Sequence, residues 1–287
     1  MANAIEVNRL VKSYGTNKVL KDISFAVADG EIFALLGING AGKTTTLECI
    51  EGVRAYDSGQ IAINGQLGVQ QQTTSLPGDI KAKEAYLLFA KWKKAVPDRA
   101  YLERLGVTPF MNRRYSHLST GQKRRLHLAV ALLGDPDIVI LDEPTAGLDV
   151  EGRITIHSEI ERLKEQGKTI ILASHDMAEV EKLCGRIAIL RDGKIVFTGT
   201  SAKLTENTER LFVLKVRFSK LPDLSGIKIS PAAESPDGQC TFQTENIENL
   251  LSEIIRCIKA QNVTIQDIKV EQDDMESRFL EIAKEEQ

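Results

Sequence analysis

This chain of 287 residues offers no disulfide framework: Cys49, Cys184, Cys240 and Cys257 lie far apart and form no C-x-x-C pair. A chain of this length can bury a core without covalent staples, so a reduced, cytosolic setting is expected. A basic field is also missing. Lys and Arg number 37 against 40 Asp and Glu, with both signs interspersed and a net charge of −3, which argues against nucleic acid as a partner. There is no run of about 18 apolar residues, and the opening Met-Ala-Asn-Ala-Ile-Glu-Val has no basic segment leading into an apolar one. The chain is therefore not expected to cross a membrane by itself. Histidine is scarce, and of the four only His175 follows a strand-like run; His117, His127 and His157 have no comparable setting.

What is present is ordered punctuation. From Ile5 to about Gly65, short apolar runs such as Val19–Phe25 and Gly59–Gly65 are separated by Gly, Asn and Asp turns and read as strands. Within them, Glu31-Ile-Phe-Ala-Leu-Leu36 reads as a buried strand and leads into Gly37-Ile-Asn39-Gly40-Ala41-Gly42-Lys43-Thr44-Thr45. This is a full match to the phosphate-loop pattern G-x-x-x-x-G-K-[ST]. Gly37, Gly40 and Gly42 let backbone N–H groups approach phosphate oxygens, and the helix opening at Lys43 adds its positive end. Lys43 supplies a point cation, and the Thr44 hydroxyl is the usual Mg²⁺ ligand of such a loop. From Lys81 to about Tyr115 the pattern turns helical and basic, with Trp92 among Lys91, Lys93 and Lys94.

Beyond that stretch, helix (Gly121 to Leu133), strand (Ile138 to Leu141), helix (Val150 to Gln166), strand (Thr169 to Ala173) and helix (Met177 to Leu183) alternate, which calls for a largely parallel sheet. Asp142 and Glu143 end one strand before Pro144, so both carboxylates are expected at the ligand-binding edge of that sheet. After Thr205 the character shifts to a small α+β appendix. It has a strand around 211–216, another at Cys240 and Phe242, a helix through Ile247, Leu250, Ile254 and Ile258, a strand over Val263–Glu271 and a short terminal helix. The loop from Ser219 to Gly238 is expected to be exposed and mobile.

Between the phosphate loop and the acidic strand end lies Leu118-Ser119-Thr120-Gly121-Gln122. With these three motifs in this order, about the first 220 residues resemble the ATP-binding subunit of an ABC transporter, whose signature is Leu-Ser-Gly-Gly-Gln. The resemblance implies an α/β fold. It consists of a P-loop NTPase cassette over 1–206, with a mixed sheet core, an antiparallel β subdomain and a helical subdomain near 78–133, joined to the appendix over 207–287. It also implies roles. Asp142 holds Mg²⁺ through its water shell, Glu143 is the general base for the attacking water, and His175 is the switch histidine at the γ-phosphate. Tyr14, by spacing alone either a surface packing residue or an adenine platform, becomes the platform. The Mg²⁺-sensing glutamine falls within Gln70–Gln72 and is aligned best at Gln72, although the segment before it is about ten residues shorter than is usual in the family.

Ser119, Gly121 and Gln122 start a helix whose free N–H groups suit an anion, while locally they also read as an ordinary N-cap. The resemblance assigns that anion to the ATP of an opposite protomer in a head-to-tail dimer, contacted also by the Ala146–Asp149 loop. A single cassette with an appendix ending Asp274–Ile282 is similar to the ABC-2 exporter group, with importers as the alternative. The expected setting is the inner face of the membrane beside a separate permease. A non-transport ATPase usually shows an inserted coiled coil, a second cassette or extra Cys ligands, and none is seen here. A non-hydrolysing module is disfavoured by the presence of Lys43, Asp142, Glu143 and His175.

Overall fold

The computed structural model describes residues 2–71, 75–205, 212–224, 229, 231, 233–235, 239–272 and 279. The chain divides into two compact units, 1–201 and 202–287.

The first unit begins with two long antiparallel strands, β1 (Asn3–Tyr14) and β2 (Asn17–Ala28), and then enters the buried strand β3 (Ile32–Leu36) and helix α1 (Lys43–Ile50). β4 (Ser58–Ile63) returns beside β1 to give a three-stranded sheet in the order β2-β1-β4. β5 (Leu67–Gln70) follows, then helices α2 (Ala82–Trp92), α3 (Arg99–Arg104) and α4 (Thr120–Ala131). These helices close over Tyr86, Leu105, Val107, Phe110 and Leu126, all buried. The Tyr86 hydroxyl accepts the Asp98 N–H at 3.2 Å, so this bulky ring is buried without leaving its oxygen unpaired. β6 (Ile138–Asp142), α5 (Val150–Glu165), β7 (Thr169–Ser174), α6 (Met177–Leu183), β8 (Arg186–Arg191) and β9 (Lys194–Gly199) complete the unit, and α7 (Ser201–Thr205) follows.

The second sheet of this unit has the order β5-β6-β7-β3-β8-β9, parallel except for β9. β3, β6 and β7 are buried at every position, as expected for parallel strands covered on both faces. Their order decides the site. β7 lies between β3 and β6, so the C-terminal ends of all three open side by side, each releasing one motif: the phosphate loop, the acidic pair and His175.

The second unit is a four-stranded antiparallel sheet, with β10 (Phe212–Phe218), β11 (Ala233–Glu234), β12 (Gln239–Thr244) and β13 (Ile265–Gln272) in the order β11-β12-β10-β13. Helix α8 (Ile247–Gln261) packs Leu250, Ile254 and Ile258 on Leu214, Val216, Phe218, Cys240 and Phe242. β11 falls within the stretch expected to be a loop. The expected terminal helix lies outside the described residues, apart from position 279.

Candidate functional site

The phosphate loop runs from the end of β3 into α1 and encloses a cavity of about 450 Å³. Asn39, Gly40, Gly42, Lys43, Thr44 and Thr45 form its wall from the loop side, and Asp142 and Glu143 from the end of β6. Gly37 has no room for a side chain, because a Cβ there would sit 2.5 Å from the Leu190 carbonyl oxygen. Gly42 adopts φ +108°, and a Cβ would meet the Leu20 side chain at 2.7 Å. Ala41 is buried in the core beneath the loop.

The polar groups in the cavity are largely paired with one another. Lys43 Nζ donates to the Gly37 carbonyl at 2.6 Å and to that of Ile38 at 3.4 Å, and lies 3.9 Å from the Glu143 carboxylate. Burial lowers the Lys43 pKa, and the charges of Glu143 and Asp142 act against that shift. The Thr44 hydroxyl donates to Asp142 Oδ2 at 2.9 Å. The other Asp142 oxygen, Oδ1, is buried and has no hydrogen-bond partner. Burial raises the Asp142 pKa, opposed by the Thr44 hydrogen bond. A hydroxyl and an oxygen-rich carboxylate with one unused, dehydrated oxygen fit a hard divalent cation such as Mg²⁺.

Glu143 holds a left-handed backbone conformation, φ 51°, and its N–H donates to the Ala173 carbonyl of β7 at 2.9 Å. Its carboxylate lies 2.8 Å from His175 Nδ1. Both residues also border a second cavity of about 250 Å³, walled by Thr145, Ala146, Gly147 and Leu148. Glu143 therefore stands between the phosphate-loop cavity and the loop leading to α5.

Ser119, Gly121 and Gln122 line neither cavity. Ser119 caps α4 reciprocally with Gln122, Oγ accepting from the Gln122 N–H at 3.2 Å and the Ser119 N–H donating to Gln122 Oε1 at 3.1 Å. Asp149 caps α5, accepting from the Gly152 N–H at 2.8 Å. Tyr14 is 41% exposed and does not reach the cavity wall; Lys12 Nζ and the Arg54 guanidinium lie 5.3 and 5.2 Å from its ring. Gln72 lies outside the described residues. Of its neighbours, Gln71 donates to Glu51 at 2.8 Å, while Gln70 is buried with neither amide atom bonded.

Two further groups act at this edge of the sheet. Arg124 Nη1 donates to the Asp142 backbone carbonyl at 3.4 Å, tying α4 to the acidic strand end. Behind His175, Ser174 Oγ donates to Glu179 at 2.8 Å and accepts from the Asp176 N–H, while His157 Nε2 meets the same Glu179 carboxylate at 3.0 Å. His157 had no motif to mark it. Its one sequence signal is helical phase, four residues after Arg153 and with Glu161 four further on.

Residues 20–146 match the family model described as "ABC transporter". The Nod factor export ATP-binding protein I of Paraburkholderia xenovorans is 40% identical over 219 residues, covering 70% of this chain and 72% of that protein. This chain belongs to the ABC transporter ATP-binding family. An ABC transporter ATP-binding protein of Methanocaldococcus jannaschii is also 40% identical, over 205 residues that cover 69% of this chain and 78% of that one. The linearmycin resistance ATP-binding protein of Bacillus subtilis is 28% identical over 303 aligned positions, covering 97% of both chains. Among solved structures, an ATP-binding subunit of an ABC transporter superposes with TM-score 0.64 at 28% identity, covering 71% of this chain and 92% of that one. The ADP form of an ABC cassette superposes with TM-score 0.61 at 23% identity and speaks for the fold alone. The protein is thus an ATP-binding subunit of an ABC transporter.

Proposed function

We propose that this ABC subunit hydrolyses ATP with Glu143 as general base and uses the energy to drive export through a separate membrane-spanning subunit. The observation that carries the hydrolytic reading is the 2.8 Å contact between His175 and the carboxylate of Glu143, which lines the loop cavity. A general base needs reach to the attacking water and an orienting partner; Glu143 lines the loop cavity, and His175 is the partner beside it. Lys43 exchanges its bonds to the Gly37 and Ile38 carbonyls for phosphate oxygens, which draws the nucleotide against the loop. Thr44 and Asp142 are the residues that would hold Mg²⁺, which when bound neutralises phosphate charge. Asn39, Gly40, Ala41, Gly42 and Thr45 shape the remaining phosphate cradle.

The α4 start is exposed at Ser119 and lines neither cavity of its own chain, which supports a head-to-tail pair in which it meets ATP on the other copy. Val150 and Ile154, one turn apart on α5 just after Asp149, are 67% and 59% exposed and fit the same interface. Export rests on two names, Nod factor export and linearmycin resistance. The second relative matches this chain along its whole length, including the second unit. No helix among the described residues is long and apolar enough to cross a membrane, in keeping with a separate permease. Trp92, 76% exposed, beside a cavity of about 420 Å³ lined also by Phe89, Val53 and Val130, is a surface suited to that partner.

Glu143→Gln is expected to retain ATP binding, lower kcat by about 10²–10⁴-fold and accumulate an ATP-bound dimer. Turnover at the wild-type rate would remove Glu143 from the base role. Co-purification from detergent-solubilised membranes tests the partner: a multi-span protein is expected, and recovery only with soluble assemblies would point to a non-transport ATPase.

A further inference from the structure

The His175 side chain is 59% exposed, so packing does not fix its direction. The turn beneath it does. Ser174, the last residue of β7, is buried, and its hydroxyl reaches past the histidine: Oγ accepts the Asp176 N–H at 3.0 Å. The same hydroxyl donates to Glu179 Oε2 at 2.8 Å, and the Glu179 N–H returns to Asp176 Oδ1 at 3.1 Å. Ser174, Asp176 and Glu179 thus close a loop of hydrogen bonds around the turn that carries His175.

An ordinary helix start would be built differently. Asp176 is the N-cap of α6 and Glu179 stands three residues on, the spacing of a capping box, in which the Glu179 carboxylate would take the Asp176 N–H itself. Here the Ser174 hydroxyl takes that N–H and donates its own hydrogen to Glu179. The cap is extended backwards to include the end of β7 and the histidine after it.

Glu179 is 3% exposed, and its second oxygen is engaged as well: Oε1 lies 3.0 Å from Nε2 of His157, on α5. With one oxygen held from β7 and the other from α5, the carboxylate is a fixed post, and hydrogen bonds to a buried charge are the strong ones. Glu143 is tied to the same strand end. Its N–H donates to the carbonyl of Ala173, the residue before Ser174, and its carboxylate meets His175 Nδ1 at 2.8 Å. A displacement of Ser174 therefore moves the imidazole relative to the Glu143 carboxylate.

We propose that Glu179 is a positioning residue for ATP hydrolysis: anchored on α5 by His157, it holds Ser174 so that His175 is aimed at Glu143. This role rests on the hydrolytic reading given above for Glu143. Glu179 itself lines neither the phosphate-loop cavity nor the smaller one beside it, so it acts through Ser174 and His175. A misplacement of about 1 Å at a reacting group can cost about 10²-fold in rate, which is the scale of effect open to such a residue.

The test is steady-state ATP hydrolysis by the full chain, resolved into kcat and KM, in a double-variant cycle. Glu179→Ala and Ser174→Ala are each expected to lower kcat by about 10–10²-fold and to leave the KM for ATP unchanged. Glu179→Gln, which keeps an acceptor for the Ser174 hydroxyl, is expected to retain most of the rate. In a His175→Ala background the further change Glu179→Ala is expected to cost nothing more, because the group it positions is gone. Far-UV circular dichroism checks folding, and Ser174→Ala, the smaller change, carries the cycle if Glu179→Ala does not fold. Wild-type kcat in the folded alanine variants, a loss that recurs in full in the His175→Ala background, or a Glu179→Gln as slow as Glu179→Ala would each overturn the positioning role. Failure of the hydrolytic reading looks different: wild-type turnover by Glu143→Gln removes the base, whereas the three outcomes above leave Glu143 in place and remove Glu179 alone.

Discussion

Glu143 is held in a backbone conformation, φ 51°, that costs a non-glycine residue about 1–3 kcal/mol. The cost is met by its position, because its N–H continues the β6–β7 ladder to Ala173 and its carboxylate is fixed by His175. The neighbouring loop is constrained as tightly from the other side. Gly37→Ala would place a methyl group 2.5 Å from a backbone oxygen of β8, an atom that cannot rotate away. The variant is expected to lose about 1–3 kcal/mol of stability and most ATP affinity, checked by thermal unfolding with and without ATP. Unchanged melting and an unchanged ATP-induced shift would show that the loop tolerates the methyl. The loop's place between β3 and α1 was legible because its spacing and glycines fall within eight consecutive positions. Gln72 was aligned by a pattern and not by local chemistry. Tyr14, legible only through resemblance, is half-exposed against Lys12 and Arg54 and lines no part of the cavity.

Elements followed the sequence where burial is continuous. β3, β6 and β7 read as uninterrupted apolar runs and are buried throughout, and the start of α4 was marked by its Ser119–Gln122 cap. What escaped the sequence is assembled from distant elements. His157 on α5 and Glu179 on α6 are 22 residues apart and meet behind Ser174 only once both helices pack at the edge of β7. No local pattern encodes such a meeting. In the second unit, α8 is stabilised by Asn246, whose side chain accepts the Asn249 N–H at 3.0 Å. Asn246→Ala is expected to cost about 1 kcal/mol, seen as a lower urea midpoint for that unit with ATP hydrolysis unaffected. No change in the midpoint would mean that the helix start is held by packing alone.

At the scale of the molecule, acid stability turns on a histidine in α4. Burial, then the charges of Arg124 and Lys123, push the His127 pKa down from its ordinary 6.5 to about 4, while its Nε2 meets the Tyr115 hydroxyl at 2.8 Å. The unfolded chain therefore takes up this proton first. Stability is lost as pH falls from about 6.5 towards 4 and is flat below, a loss on the order of 3 kcal/mol. Urea unfolding at pH 7 and 4.5 is expected to show this slope in the wild type and a smaller one in His127→Gln; equal slopes would assign the acid sensitivity elsewhere. Proximity across sheets was the part least readable from sequence. Alternation identified β10, β12 and β13 as strands, but only their order shows which of them ends as an edge.

Gln70, at the end of the edge strand β5, keeps both amide atoms dry and unbonded. Such a group is a reserve of unspent stability. Gln70→Met keeps the length of the side chain and removes the stranded dipole, so it is expected to raise the melting temperature by the equivalent of about 1–3 kcal/mol. A cassette hardened in this way would tolerate further, more disruptive substitutions around the phosphate-loop cavity, which makes this one position the natural first step in engineering the protein.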